Sequence, residues 1–313
     1  MKTKNKSVFS SENASATGVG ECKSCIEDSD VAAILNESSR STPLQVYLRK
    51  KGRMKSSESA PVNKFETVFG PEMADYFSRI KGLRTRRINQ SFIHSEHPFL
   101  RTQIDYEILN GEIGGGNGIL ELKTDTSHRL SSFSGKYPVE WFYQIQHSLG
   151  LTNYAYAYLF IYERDTCKYY EPILIKRDEK WITEIRQKLI RWWQRHIVAG
   201  KQPDPIYGKD TSLLYPDASG RVVEASAQDR VFHEELVNIN QKISSLELEK
   251  ELLEACLKNS MGEAERLVSG GRDLITWKNQ TTCSINWREL NKRFPELCRK
   301  FQKFIKTRRF VVK

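Results

Sequence analysis

The sequence has no apolar run long enough to cross a bilayer. Its longest, Ala155–Tyr162, falls far short of the ~20 residues a spanning helix needs. The polar start, Met1-Lys-Thr-Lys-Asn-Lys6, lacks the apolar stretch of a signal peptide. Cysteine is scarce, six in 313 residues, and too scattered for a disulfide framework. There is no phosphate-binding loop either. The glycines of 114–118 are followed by a strand pattern, not by Lys-Ser/Thr and a helix, so they read as a hairpin tip. These absences exclude a membrane span and a small secreted scaffold. The expected compartment is the cytoplasm, or the nucleoid within it.

Acidic residues are also in deficit, 39 against 49 Lys and Arg, giving a formal charge of +10. The excess is uneven. From Arg272 to Lys313 twelve basic residues face only Asp273, Glu289 and Glu296. Upstream clusters lie at Arg49-Lys-Lys-Gly-Arg-Met-Lys55 and at Arg79, Lys81, Arg84, Arg86 and Arg87. Such patches attract polyanions, of which nucleic acid is the commonest inside a cell.

Residues 1–17 are polar, without apolar period, and read as a disordered tail. Val31, Ala32, Ile34 and Leu35 share one face of a short helix. Thr42-Pro43 supplies the N-cap and first position of a second, and Pro71–Ile80 forms a third. Ser91–His94, Leu100–Leu109 and Gly118–Lys123 are β-compatible. A helix over Tyr137–Leu149, a strand over Asn153–Glu163, a hairpin partner over Tyr169–Ile175 and a long helix over Arg177–Ala199 follow. The order predicts an α/β layer fold with a mixed central sheet flanked by helices. A domain over 18–208 is expected, then a linker over 209–230 and a basic helical extension over 231–313. In the extension Phe232, Leu236, Ile239, Ile243 and Leu246 repeat at steps of 4-3-4-3, continued by Leu253 and Leu257, as in the packing face of a coiled coil. Trp277, Trp287 and Phe294 stand among the basic residues of the terminal segment, which either holds duplex DNA or packs onto the core through these aromatics, and Arg308–Lys313 could form an edge strand.

The carboxylates of the strand region carry the most chemistry. In Ile119-Leu-Glu-Leu-Lys-Thr124, Glu121 and Lys123 share one face while Leu120 and Leu122 point to the core. If the strand holding Asp105 pairs with it through the glycine-rich turn, Asp105 and Glu121 converge. Two carboxylates beside a lysine suit Mg²⁺ or Mn²⁺, with the lysine orienting water or offsetting charge on a transferring phosphate. The same residues also fit an exposed strand of alternating charge.

These residues resemble the PD-(D/E)xK nuclease superfamily, and the flanking blocks resemble its YqaJ-type viral recombinase family, relatives of phage lambda exonuclease. The blocks are Asp28–Leu35 with Ser41–Tyr47, Phe69–Phe77, Tyr143–Thr152, Trp192–His196 with Gln202–Pro205, and finally Thr276–Lys278 with Arg308–Phe310. The resemblance implies a restriction-endonuclease-like core and a metal-dependent exonuclease acting 5′-to-3′ on double-stranded DNA ends. It implies Asp105, Glu121 and the Leu122 carbonyl as ligands of two Mg²⁺ or Mn²⁺ ions, and Lys123 as the catalytic lysine. Glu72 corresponds to a helix glutamate near the metals. Gln144 or Gln146 would line the site, with Gln144 favoured, and Ser29 would hold a DNA phosphate. Lys23, Arg49, Lys50, Arg84, Arg86 and Arg87 are the expected DNA contacts. A RecT-like annealing protein is the implied partner, and assembly into a homo-oligomeric ring is known among relatives. An internally cutting or RNA-directed nuclease, or an inactive DNA-binding protein, stays open.

Two departures stand out. Glu27-Asp28 replaces the family's opening glycines, adding negative charge where a phosphate should approach, and Cys22 stands where relatives can carry an arginine. Cys22 and Cys25 are read as two thiols rather than half of a four-cysteine cluster. His94 and His97 are read as surface histidines, and His147 as a hydrogen-bonded packing residue.

Overall fold

The computed structural model describes residues 23–54, 61–109, 111, 116–133, 137–304 and 306–313, with side chains from 68 onward in the second stretch. The 1–17 tail, Cys22 and the tip of the glycine-rich turn lie outside the described residues. The chain divides into two units, Met1–Thr211 and Ser212–Lys313. No helix among the described residues is long and apolar enough to cross a membrane.

The first unit is built on a six-stranded mixed sheet: β1 (Arg84–Ile93), β2 (Arg101–Leu109), β3 (Gly118–Asp125), β4 (Tyr156–Glu163), β5 (Lys168–Tyr169) and β6 (Ile173–Lys176). The order is β1-β2-β3-β4-β5, with β6 also on β4. Of its strands only β3 and β4 pair in parallel, because the helices α4 (Ser127–Ser131) and α5 (Val139–Leu151) carry the chain back between them. The expected single hairpin partner over 169–175 is split into β5 and β6, both antiparallel to β4. Every residue of β4 is buried, since it is covered on both faces.

Alternation along the strands sorts side chains into two cores. Tyr106, Ile108, Leu120, Tyr158 and Phe160 pack with Met73 and Phe77 of α3 (Pro61–Lys81). Ile104, Ile119, Leu159 and Ile161 pack with Trp141, Ile145 and Leu149 of α5 and Ile182 of α6 (Glu179–Trp192). Helix α3 starts ten residues earlier than Pro71 suggests, because Pro61 takes the first position and Pro71 sits inside the helix. The long helix expected over 177–199 is α6 followed by a π-helical turn, Trp193–Val198.

Two short helices, α1 (Asp28–Ile34) and α2 (Pro43–Lys50), close one end. Thr42 caps α2, its hydroxyl accepting from the Gln45 amide at 3.2 Å. The hydroxyl also donates to Asp210 at 2.8 Å, and Gln45 Nε2 donates to the same oxygen at 3.0 Å. Asp210 is fully buried in α7 (Gly208–Leu214), within the stretch read as linker.

The second unit contains the 35-residue α8 (Ala227–Met261), whose Ser226 and Asp229 form a capping box. A hairpin follows, β7 (Arg266–Ser269) and β8 (Arg272–Thr276), then α9 (Trp287–Arg293) and α10 (Pro295–Phe301). Gly270 and Gly271, at φ +56° and +78°, supply the two left-handed positions of its turn. No strand follows β8 among the described residues, so the expected edge strand at Arg308–Lys313 is absent. Trp277, Trp287 and Phe294 are exposed rather than packed.

Gly118 opens β3 where the chain passes the fully buried Tyr156 ring; a Cβ there would lie 2.4 Å from two ring carbons. Gly118→Ala should therefore cost about 1–3 kcal/mol through overpacking. A thermal melt should show a clear fall in Tm, and an unchanged melting temperature would refute the close approach.

Candidate active site

The β2–β3 ladder runs Ile108↔Gly118, Glu107↔Ile119, Tyr106↔Leu120. Continued by one residue, it sets Asp105 opposite Glu121. The ladder to β4 instead runs on to Asp125, so the sheet forks from Glu121 onward. Ile119 belongs to the α5-side core, and period two puts Glu121 and Lys123 on that same face. Leu120 and Leu122 point to the α3 side. Strand β1 carries one extra residue between Arg87 and Gln90, opposite Asp105, and Asn89 there has φ +44°. Strand β2 changes face at this point: Ile104 joins the α5-side core, whereas Tyr106 joins the other. Bulges of this kind re-aim side chains next to functional sites.

Electrostatics tie the group together. Burial, then the charge of Glu121, hold the Asp105 carboxyl above its ordinary range; Gln103, Arg87 and Lys123 pull the other way. Gln103 Nε2 donates to Asp105 Oδ1 at 3.2 Å. Lys123 Nζ pairs with Glu121 Oε1 at 2.8 Å. Thus Asp105, Glu121 and Lys123 meet at the fork, on a shared charge network.

Asp28 is the acidic residue that sequence reasoning treated only as a departure. Its carboxylate accepts from Thr102 Oγ1 at 2.8 Å, from the Gln103 amide at 3.2 Å and from Ser148 Oγ at 3.2 Å. It therefore joins α1, β2 and α5. Burial chiefly, with Glu121 adding to it, pushes its pKa up to about 7 against the opposing hydrogen bonds. The signal in the sequence was an acid in place of a glycine.

On α5, Gln144 and Ser148 lie one turn apart on a single stripe. Ser148 touches Asp28, and the Gln144 Oε1 is buried without a hydrogen-bond partner. Gln146 is fully buried and satisfied: Nε2 donates to the Lys176 carbonyl at 2.8 Å and Oε1 accepts from the Asp178 amide at 3.1 Å. Gln146 is thus a packing residue joining α5 to β6 and α6, which corrects its assignment to the site.

Glu72 is exposed on α3, where its charge acts on Tyr169; it is not among the charges that act most on Asp105. Ser29 is exposed beside Asp28, and Lys23 is exposed ahead of α1. Arg84, Arg86 and Arg87 lie exposed along β1, the sheet edge. Arg86 pairs with buried Glu107, which also accepts from Tyr154 at 2.8 Å. Arg49 and Lys50 are not available to DNA as expected. Lys50, 1% exposed in its side chain, pairs with Asp30 at 2.6 Å, and Arg49 pairs with the same carboxylate at 3.1 Å. A buried acid needs this compensation.

His147 is buried, its Nε2 3.1 Å from the Arg101 carbonyl, and burial pushes its pKa down to about 4, as a packing histidine. His94 accepts from the amides of Glu96 and His97 at 3.2 Å. Cys25 is disulfide-bonded, not a thiol, whereas Cys167, Cys256, Cys283 and Cys298 are free.

The donors at the fork fit a hard divalent cation. Two carboxylates of like charge face each other, and a buried amide oxygen stands unpartnered one helix away. Among the described residues no three His, Cys, Asp or Glu side chains form a cage.

Residues 23–155 match the family model described as the YqaJ-like viral recombinase domain. A curated relative, the uncharacterized protein YqaJ of Bacillus subtilis (strain 168), is 26% identical over 298 residues, covering 92% of this chain and 91% of its own. Among solved structures, an alkaline exonuclease from Laribacter hongkongensis is similar with a TM-score of 0.45 and 15% identity, covering 56% of this chain and 89% of its own. A phage related exonuclease from Haemophilus somnus 129PT is similar with a TM-score of 0.41 and 11% identity, covering 56% and 96%.

The raised pKa of Asp28 carries a pH dependence. Between about 4 and about 7 the folded chain holds a proton that the unfolded chain has lost, so stability falls as pH rises through that window. Asp28→Asn removes this component. In EDTA, the Tm of the variant relative to the parent should rise between pH 4 and pH 7 and level off above. A constant difference across that range would refute the buried, charge-crowded placement of Asp28.

Proposed function

We propose that this chain, whose residues 23–155 match the model of the YqaJ-like viral recombinase domain, is a nuclease of the lambda-exonuclease type. It digests linear double-stranded DNA from 5′ ends and leaves a 3′ single strand for homologous recombination and break repair. The observation that supports this reading best is the apposition of Asp105 and Glu121 at a fork in the sheet, with Lys123 two residues along the same face.

Asp105, Glu121 and the Leu122 carbonyl would hold two Mg²⁺ or Mn²⁺ ions. When bound, such ions supply positive charge against the scissile phosphate and make water more acidic. In the reaction a water oxygen bonds to phosphorus, the P–O3′ bond breaks, and the leaving 3′ oxygen takes up a proton. Lys123, held against β3 by Glu121, offsets charge growing on the phosphoryl oxygens. Gln144 offers its Oε1 as acceptor to the attacking water, fixing its direction. Ser29 and Lys23 near α1, and Arg84 and Arg87 on β1, contact the DNA backbone; such contacts position the duplex and carry no sequence information. The single-stranded product suits a RecT-like annealing protein as partner.

The test is digestion of a 5′-end-labelled linear duplex with Mg²⁺ or EDTA. Rapid, EDTA-sensitive release of labelled mononucleotide is expected; internal fragments, or cleavage of RNA alone, would overturn the assignment. Asp105→Ala and Glu121→Ala should abolish release while DNA binding persists. Lys123→Gln should slow it by ~10²-fold or more, the scale of losing a transition-state donor.

The two glutamines should separate by readout. Gln144→Ala should lower turnover with little change in Tm. Gln146→Ala should lower stability by about 1–3 kcal/mol, since it strands buried backbone groups. The reverse pattern would exchange their roles.

A further inference from the structure

The Asp105 carboxylate is held by one of its two oxygens. Strand β1 sets two residues, Ile88 and Asn89, opposite Asp105 alone. Ile88 packs against the α5-side core, which leaves Asn89 to face Asp105. At φ +44° Asn89 occupies the left-handed region, where a short polar side chain is tolerated and a branched one is strained. The orientation of its amide follows from the neighbours. An oxygen turned to Asp105 would meet an acceptor, so the nitrogen donates to Asp105 Oδ1 at 3.3 Å and the oxygen accepts from Arg87 Nε at 3.2 Å. Gln103 reaches the same Oδ1 along β2, its Nε2 donating at 3.2 Å. The Gln103 backbone is fixed in turn, because its amide donates to Asp28 at 3.2 Å. No hydrogen bond reaches Oδ2 among the described residues.

Stability does not account for this arrangement. Asn89 and Gln103 are exposed, and hydrogen bonds made there compete with water and contribute little to folding. Their effect is on direction. A free carboxylate turns about its last torsion and presents either oxygen, or both. Two donors on one oxygen oppose that rotation. Both donors are neutral, so, unlike Lys123 beside Glu121, they leave the negative charge in place. What remains is one directed, anionic oxygen. A small ion of strict octahedral geometry such as Mg²⁺ demands this, whereas Ca²⁺ also takes both oxygens of one carboxylate.

We propose that Asn89 and Gln103 are positioning residues that clamp Oδ1 of Asp105 and leave Oδ2 as the one oxygen it offers to a divalent cation. The assignment rests on the metal site of Asp105 and Glu121 proposed above, and it deepens that reading by making the clamp a source of metal selectivity.

Titration of the full chain with Mn²⁺, followed through the electron paramagnetic resonance of the free ion, tests this without nuclease activity. The parent should take up Mn²⁺; a parent that takes up none overturns the metal site itself, and the clamp with it. Asn89→Gly keeps the left-handed backbone and deletes the amide, and Gln103→Met keeps the length and deletes the donor. Each should weaken Mn²⁺ binding by about tenfold or more, the scale of losing a partner that orients a ligand. The Tm in EDTA should barely move. Variants that bind Mn²⁺ as the parent does, whatever their Tm, overturn the clamp and leave the metal site standing. Displacement of Mn²⁺ by Ca²⁺ reads the direction of the freed carboxylate. The affinity for Ca²⁺ relative to Mn²⁺ should rise severalfold in either variant, since both oxygens become available. An unchanged ratio would overturn the one-oxygen arrangement.

Discussion

Two carboxylates held face to face across neighbouring strands set the terms for the first unit. Like charges directly opposite on a sheet weaken it by roughly 0.2–1 kcal/mol, and here the Asp105 carboxyl is held above its ordinary range by desolvation and then by the charge of Glu121. The pair persists because other forces fix the strands. Strand β3 is locked to the fully buried β4 along its length. Strand β2 is bonded to β1 on its other side, and Lys123 neutralises part of the charge from within β3. The fork and the bulge concentrate the irregularity of the sheet at this one place, as expected where a surface is shaped for chemistry rather than stability.

Much of this was legible in the sequence, for a local reason. Period-two alternation alone fixes Glu121 and Lys123 on one face, and a glycine-rich connection between two strand-like runs brings Asp105 across. The residues that misled are those whose surroundings come from distant segments. Lys50 and Arg49 look like a solvated basic run; their partner, Asp30, lies on another helix and withdraws them. Gln144 and Gln146 are two apart on a helix and so face different ways. Which faces inward depends on β6 and the start of α6, some thirty residues on. Asp28 carried no local cue beyond its charge, since its three donors come from β2 and α5.

In the second unit the period announced a face but not its fate. The α8 stripe lies on one continuous helix, yet what packs against it is a tertiary fact that no repeat encodes. The terminal Phe310-Val-Val shows the converse: β-prone residues make a strand only when a ladder partner stands beside them, and here none does. The hairpin at Gly270-Gly271 could have been read from its turn, because two adjacent glycines between short apolar runs meet the demand for two positive φ angles.

The hydrogen bonds of Asp28 also bear on the order in which the molecule assembles. The hairpin that opposes Asp105 and Glu121 closes a short loop of chain, and so meets a small entropic barrier. The contacts from Asp28 to Thr102 and Ser148 instead close loops of 74 and 120 residues. During synthesis the carboxylates therefore come together well before the segment that completes the walls around them. An unfinished chain would hold acids and lysine in register yet lack the α5 face. Maturity of the fold, rather than any separate signal, would then decide when this constellation is first complete.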